Sequence, residues 1–173
     1  KKFADELEAN LEAGIYAFKG AEKTRVTWEG IAVWPYLGHT FKSLKSLGSI
    51  MTGSAYPGLW DLHYDAHDDS LHSMAEAYTR IYINTCLENK VNVLLNIVNG
   101  GKCDGIVYHL NRSCKLMSFL NVETAEIIKE KTGLPYVSFD GDQTDPRNFA
   151  PAQFDTRVQA LAEMMEANLA AAE

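Results

Sequence analysis

The sequence predicts a small α/β domain: a parallel sheet of about four strands, covered by helices on both faces. Two observations carry that expectation. Short runs rich in β-branched and aromatic residues alternate with segments whose apolar residues recur at helical spacing, the pattern of strand–helix–strand units. A chain of 173 residues, 46% hydrophobic and 23% charged, is also long enough for one packed core and too short for two large ones.

The elements follow in order. Residues 2–19 read as a helix, with Phe3, Leu7, Leu11 and Ile15 or Phe18 on one stripe. Gly20 to Thr24 interrupts it. Arg25 to Trp34 reads as a strand that Pro35 stops. Thr40 is placed to cap a short helix through Leu47, with Gly48 at its end. Ser49 to Ser54 is a second strand. Tyr56 to Asp69, with its proline, glycine, aspartates and histidines, reads as a loop, and Asp68, Asp69 and Ser70 offer helix caps. Leu71 to Asn99 is helical, with Met74, Tyr78, Ile81, Tyr82 and Thr85 on one side and a break expected near Glu88 to Lys90. Gly100 and Gly101 end it.

A strand over 104–109 follows, then a loop holding Cys114 and a helix ending near Thr132 and Gly133. Pro135 to Phe139 is the last strand, and Asp140 to Asn148 an acidic turn-rich loop. Pro151 suits the first turn of a closing helix with a stripe of Phe154, Val158, Leu161 and Met165. The terminal Ala170 to Glu173 is expected to fray. With right-handed crossovers, this order gives a doubly wound, flavodoxin-like or Rossmann-like domain.

Charge and composition narrow the function classes. A net charge of −7 argues against a nucleic-acid footprint and an anionic membrane surface. No apolar run approaches the roughly 20 residues of a membrane span, and the charged, helix-like opening does not read as a signal peptide. Three cysteines without regular spacing suggest no disulfide framework, and point to a reducing cytoplasm. Because Lys1-Lys2-Phe3 opens inside an amphipathic pattern, residues 1–24 are expected to be a helix and linker from an upstream domain. Residues 25–173 then form the α/β domain.

The run His109-Leu110-Asn111-Arg112-Ser113-Cys114-Lys115-Leu116 is the most informative stretch. It leaves an apolar strand and enters a helix, so Cys114 is expected at the carboxyl end of a parallel strand, where open α/β sheets bind ligands. A thiol beside Arg112, Lys115 and a helix amino terminus is suited to metal ligation or attack on an electrophile. The plainer reading is a buried structural cysteine. Cys103 precedes the same strand, about five residues or roughly 16 Å from Cys114 at strand rise, too far for one cluster. It and Cys86, within a helical run, read as core residues. His63 and His67, four apart among aspartates, have the spacing of a metal pair on a helix, but a solvated loop is the default. Asp140, Asp142 and Asp145 default to turn chemistry. Neither a glycine-rich phosphate motif nor a G-x-S-x-G elbow occurs, which weakens nucleotide and serine-hydrolase readings.

On these residues the chain resembles the 2-hydroxyacyl-CoA dehydratase and benzoyl-CoA reductase family. The likeness rests on Cys103-Asp104-Gly105-Ile106-Val107-Tyr108-His109 and Asn111-Arg112-Ser113-Cys114-Lys115. Gly133-Leu134-Pro135, Asp140-Gly141-Asp142, Gln153-Phe154-Asp155-Thr156-Arg157 and Glu163-Met164 complete it, and it extends to Arg25 to Pro35. It is similar above all to the cluster-bearing alpha-type dehydratase subunits.

That resemblance implies a [4Fe-4S] cluster held by three cysteines of one subunit, with Cys114 matching the last ligand and the other two outside this chain. It implies a heterodimer with a second dehydratase subunit, an acyl-CoA substrate and a separate ATP-dependent iron–sulfur activator. The expected reaction is loss of water from (R)-2-hydroxyacyl-CoA to give 2-enoyl-CoA through a ketyl radical. Asn111 and Arg112 are the candidate cofactor-binding residues, and His109 and Ser113 the candidate catalytic ones. Glu29 is placed either near the same sheet edge or in a buried pair. The alternatives are a benzoyl-CoA reductase-type subunit and a flavodoxin-like binding module without chemistry of its own.

Overall fold

The computed structural model describes residues 1–16, 18–65 and 69–172. Strands β1 (Thr24–Glu29) and β2 (Ser49–Ser54) flank helix α2 (Leu37–Ser46), and α1 (Lys2–Glu12) precedes them. Helices α3 (Ser70–Arg80) and α4 (Leu87–Gly100) lead to β3 (Gly105–Asn111). After it come α5 (Lys115–Ser118), α6 (Asn121–Thr132), β4 (Tyr136–Gly141) and α7 (Pro151–Ala172). All strand pairs are parallel, in the order β2-β1-β3-β4. This is the doubly wound α/β architecture expected, in the flavodoxin-like order.

Alternation along the strands builds a core on each face. Val26, Trp28, Val107 and Phe139 pack against Leu44 of α2 and Phe154, Val158, Leu161 and Met165 of α7. The stripe expected on the closing helix is therefore the one it buries. On the other face Ile106 and Tyr108 meet Val91, Leu94 and Val98 of α4 and Ala125 and Ile128 of α6. A third cluster of Ile31, Ala55, Leu59, Tyr82 and Met117 closes the carboxyl end of the sheet.

Several boundaries differ from expectation, each for a local reason. Helix α1 stops at Glu12 because Gly14 takes φ +71, and Phe3, Leu7 and Leu11 stay exposed. Strand β1 ends at Glu29, since Gly30 adopts φ +102 and turns the chain away. Helix α2 starts at Leu37, so Thr40 lies inside it and donates its hydroxyl to the Leu37 carbonyl, 3.0 Å away. Asp69 caps α3 by accepting from the Leu71 and His72 amides; Asp68 lies outside the described residues. The break between α3 and α4 falls at 81–86, before the expected Glu88. On α3, Ser73 and Ala77 form the buried face, while Met74 and Tyr78 are exposed. The helix after Cys114 is divided at Phe119 and Leu120. The closing helix runs on through Ala172, where fraying was expected from Ala170. No helix among the described residues is long and apolar enough to cross a membrane.

Candidate functional site

Strand order places the site. From β1 the chain goes out to β2, then crosses back to β3 on the other side of β1, so the winding reverses between β1 and β3. The carboxyl ends at such a reversal leave a crevice free of crossing connections, where ligands bind in this fold. Glu29 and Gly30 leave β1 there, and Asn111 to Cys114 leave β3.

Gly30 is required at its position. A Cβ there would lie 2.7 Å from the His109 carbonyl oxygen, and its φ of +102 is unfavourable to side chains. The two strand ends are thereby drawn into backbone contact.

Asn111 organises the turn that carries the thiol. Its Oδ1 accepts from the Ser113 amide at 3.2 Å and the Gln143 amide at 3.3 Å. Its Nδ2 donates to Gln143 Oε1 at 2.9 Å. Its carbonyl accepts from the Cys114 amide at 3.3 Å and Ser118 Oγ at 3.0 Å. An asparagine so engaged is a side chain standing in for a turn of backbone. Ser113 Oγ donates to Asp142 Oδ2, tying the turn to the exit of β4. Asp142 Oδ1 accepts from the Thr144 and Asp145 amides, both at 2.9 Å. The Ser113 hydroxyl first, then those two amides, hold the Asp142 carboxyl down to about 2. The acidic loop is thus committed to turn chemistry, as expected. Arg112 is exposed, its guanidinium 3.9 Å from Asp140, a geometry of little energetic weight.

Cys114 is partly buried and packs against the cluster of Ile31, Tyr82 and Met117. A charged network lies beneath it. Glu29, 0% exposed, accepts from the Tyr82 hydroxyl at 2.8 Å and lies 3.6 Å from Lys90 Nζ. Lys90, 3% exposed, also donates to the Met117 carbonyl at 3.2 Å and Asn121 Oδ1 at 3.0 Å. Burial pushes the Glu29 carboxyl up and the Lys90 ammonium down; their mutual attraction opposes both shifts. Glu29 is therefore the buried, paired carboxylate of the two readings. Sequence reasoning missed Lys90. The signal was its spacing: it precedes Leu94 by four and Val98 by eight, on the buried stripe of α4.

The remaining candidates are dispersed. His109 is 0% exposed, stacked on Phe139 with ring centroids 5.0 Å apart. Its Nδ1 meets the Ile31 carbonyl at 2.5 Å, while Nε2 lies against the Gly141 backbone without hydrogen-bond geometry. Burial holds its basicity below the ordinary histidine value. Cys103 is buried beside Thr27 and Thr52 hydroxyls at the opposite end of β3, as expected. Cys86, expected in the core, is exposed: it precedes the first turn of α4 and shares a surface groove with Lys115, Leu116 and Phe119. His63 is exposed and pairs with Asp61; His67 lies outside the described residues. Among the described residues no three His, Cys, Asp or Glu side chains are grouped to hold a metal ion. An apolar cavity of about 240 Å³, lined by Trp28, Gly30, Trp34, Phe41 and Tyr56, opens near the carboxyl ends of β1 and β2.

Comparison with known proteins gives the family. Residues 1–165 match the family model described as 2-hydroxyglutaryl-CoA dehydratase, D-component. The whole chain is 83% identical to 41% of the lactoyl-CoA dehydratase subunit alpha of Anaerotignum propionicum. It is 48% identical, over 96% of its length, to 40% of the (R)-2-hydroxyisocaproyl-CoA dehydratase alpha subunit of Clostridioides difficile. It is 27% identical, over 84% of its length, to 34% of a benzoyl-CoA reductase subunit of Thauera aromatica. The chain spans about two fifths of the length of these dehydratase relatives. It belongs to the 2-hydroxyglutaryl-CoA dehydratase D-component family.

Proposed function

We propose that this member of the dehydratase family is the cluster-facing α/β portion of a 2-hydroxyacyl-CoA dehydratase alpha subunit. In this reading it contributes to loss of water from (R)-2-hydroxyacyl-CoA, giving 2-enoyl-CoA. The observation that carries the reading is Cys114, a partly exposed thiol at the carboxyl-end reversal of the sheet, on a turn braced by Asn111 and Asp142. The level of likeness to named dehydratase subunits, against 27% for the reductase subunit, favours dehydration over ring reduction.

In this reading Cys114 supplies one of three thiolates to a [4Fe-4S] cluster, and the other two come from cysteines outside this chain. The donor set fits that role: one thiol, with no neighbouring grouped carboxylates or imidazoles among the described residues. When bound, such a cluster supplies an electron and an open iron site that acts as a Lewis acid. Elimination here removes hydroxide from the α carbon and a proton from the unactivated β carbon, so ordinary acid–base chemistry has the wrong polarity. One-electron reduction of the thioester carbonyl to a ketyl radical, with the activator as electron source, would correct that polarity, and the electron would be returned once water had left.

This chain's own residues orient and shield. Asn111 holds the thiol-bearing turn to Gln143, and Ser113 locks that turn to Asp142. Arg112, exposed at the same rim, is placed to meet anionic groups of cluster or substrate. His109, sealed against Phe139, positions the chain leaving β1 through the Ile31 carbonyl. The partners of this reading are a second dehydratase subunit, an ATP-dependent iron–sulfur activator and the acyl-CoA.

The test uses the full-length subunit with its partner and activator, purified anaerobically and given ATP, a reductant and (R)-lactoyl-CoA or benzoyl-CoA. Acryloyl-CoA and water as products, abolished by Cys114→Ala, support the reading. Ring reduction of benzoyl-CoA, or dehydration indifferent to Cys114→Ala, would overturn it.

A further inference from the structure

Lys90 is a charged side chain on the buried stripe of α4 below the site. Its surroundings are specific. Three acceptors surround Lys90 Nζ: the Met117 carbonyl at 3.2 Å, Asn121 Oδ1 at 3.0 Å and Glu29 Oε1 at 3.6 Å. An ammonium has three N–H donors and no acceptor, so three acceptors match the charged form. The Tyr82 ring, 5.3 Å from Nζ, adds a further site attractive to a cation.

Such a pair is expensive. Both side chains lose their hydration, and uncharged side chains of similar volume commonly match or exceed the stability of a buried ion pair. Retaining it points to a role other than stability. Its placement suggests which. Met117 lies in α5, directly after Cys114, and Asn121 opens α6, while Glu29 ends β1, so Lys90 bridges the sheet edge and the segment that follows the thiol. Cys114 packs beside the same Tyr82 and Met117 that contact Lys90. The titratable groups facing this pocket are Glu29 from β1, Tyr82 before α4, Tyr108 from β3 and Cys114 itself. Of the two buried charges, the lysine is the one hydrogen-bonded into the segment that follows Cys114.

We propose that Lys90 is a positioning residue for Cys114: anchored on Glu29, it ties the segment after Cys114 to the sheet and holds a positive charge in the pocket against which the thiol packs. This rests on the reading of Cys114 as a cluster ligand. A positive charge beneath a cluster thiolate favours the reduced cluster, raising its reduction potential.

The experiment is a redox titration, followed by electron paramagnetic resonance, of the full-length subunit with its partner. Lys90→Met strands Glu29, so Glu29→Gln/Lys90→Met is made beside it to remove both charges and preserve the fold. We expect the double variant to keep its iron and to lower the midpoint potential. The expected shift is roughly tenfold in the oxidised-to-reduced ratio, about 59 mV for a one-electron couple. Faster amide exchange over 113–118 should accompany it. A folded, iron-loaded double variant with the wild-type potential overturns the proposal and leaves the cluster reading intact. Wild-type protein without iron overturns both.

Discussion

Replacing Gly141 by alanine tests the junction between β3 and β4 beneath the site. A Cβ at this position would lie 2.6 Å from His109 Nε2 and 3.1 Å from His109 Cδ2. The histidine has nowhere to retreat, because its ring is stacked on Phe139 and its Nδ1 is bonded to the Ile31 carbonyl. Gly141 is not among the residues with positive φ, so alanine can adopt its backbone and the conflict is one of space.

Overpacking of this kind costs about 1–3 kcal/mol, and a displaced hydrogen bond about 1 kcal/mol more. Reduced freedom of the unfolded chain offsets about 0.4–1 kcal/mol. The net expectation is a loss of about 1–3 kcal/mol, or about 0.5–1.5 M in the urea midpoint at a slope near 2 kcal/mol/M. Urea unfolding with an unchanged slope is the assay. His109→Ala in the same chain vacates the space, so the double variant should cost less than the sum of the singles by about 1 kcal/mol. An unchanged or raised midpoint in Gly141→Ala, or strict additivity, would refute the packing argument.

Other outcomes follow from the same geometry. Burial lowers the His109 pKa, so unfolding takes up a proton: its contribution is complete above about pH 6.5 and is lost as pH falls, at up to about 1.4 kcal/mol per unit. His109→Gln should flatten the stability–pH curve over that range, and parallel curves for the two proteins would contradict the assignment. Leu161→Ala empties a fully buried position on α7 and should cost about 2–5 kcal/mol by denaturant titration; a loss below about 1 kcal/mol would place α7 outside the core. In the reduced native chain a bulky thiol reagent should label Cys86 first and spare Cys103, as mass spectrometry of the peptides would report; early labelling of Cys103 would contradict its burial between Thr27 and Thr52.

Much of this arrangement was legible in the sequence, because strand and helix periods differ and the turns carry their own chemistry. The four strands, the closing stripe of Phe154 to Met165 and the rim position of Cys114 all follow from local pattern. What local pattern does not carry is which polar residues turn inward. Glu29 ends β1 and His109 lies near the end of the paired strand β3, and only packing across the sheet decides that both are sealed. Lys90 reads as solvated when taken alone, and its place on the stripe of α4 becomes informative once Glu29 is opposite it. Cys86 looked like core because its neighbours are helical, yet it precedes the first turn of α4, at the surface. Residues 81–86 break the helix earlier than the expected position near Glu88 to Lys90, and Tyr82 in that break reaches Glu29.

The central claim is that Cys114 ligates an iron–sulfur cluster. Iron, acid-labile sulfide and the visible spectrum of the full-length protein, purified anaerobically, test it directly in wild type against Cys114→Ala. About four iron and four sulfide with broad visible absorbance, degraded in the variant, are the result expected of a cubane cluster with cysteine ligands. Equal spectra and iron content in the two proteins, or no iron in either, would make Cys114 a structural thiol and contradict the account.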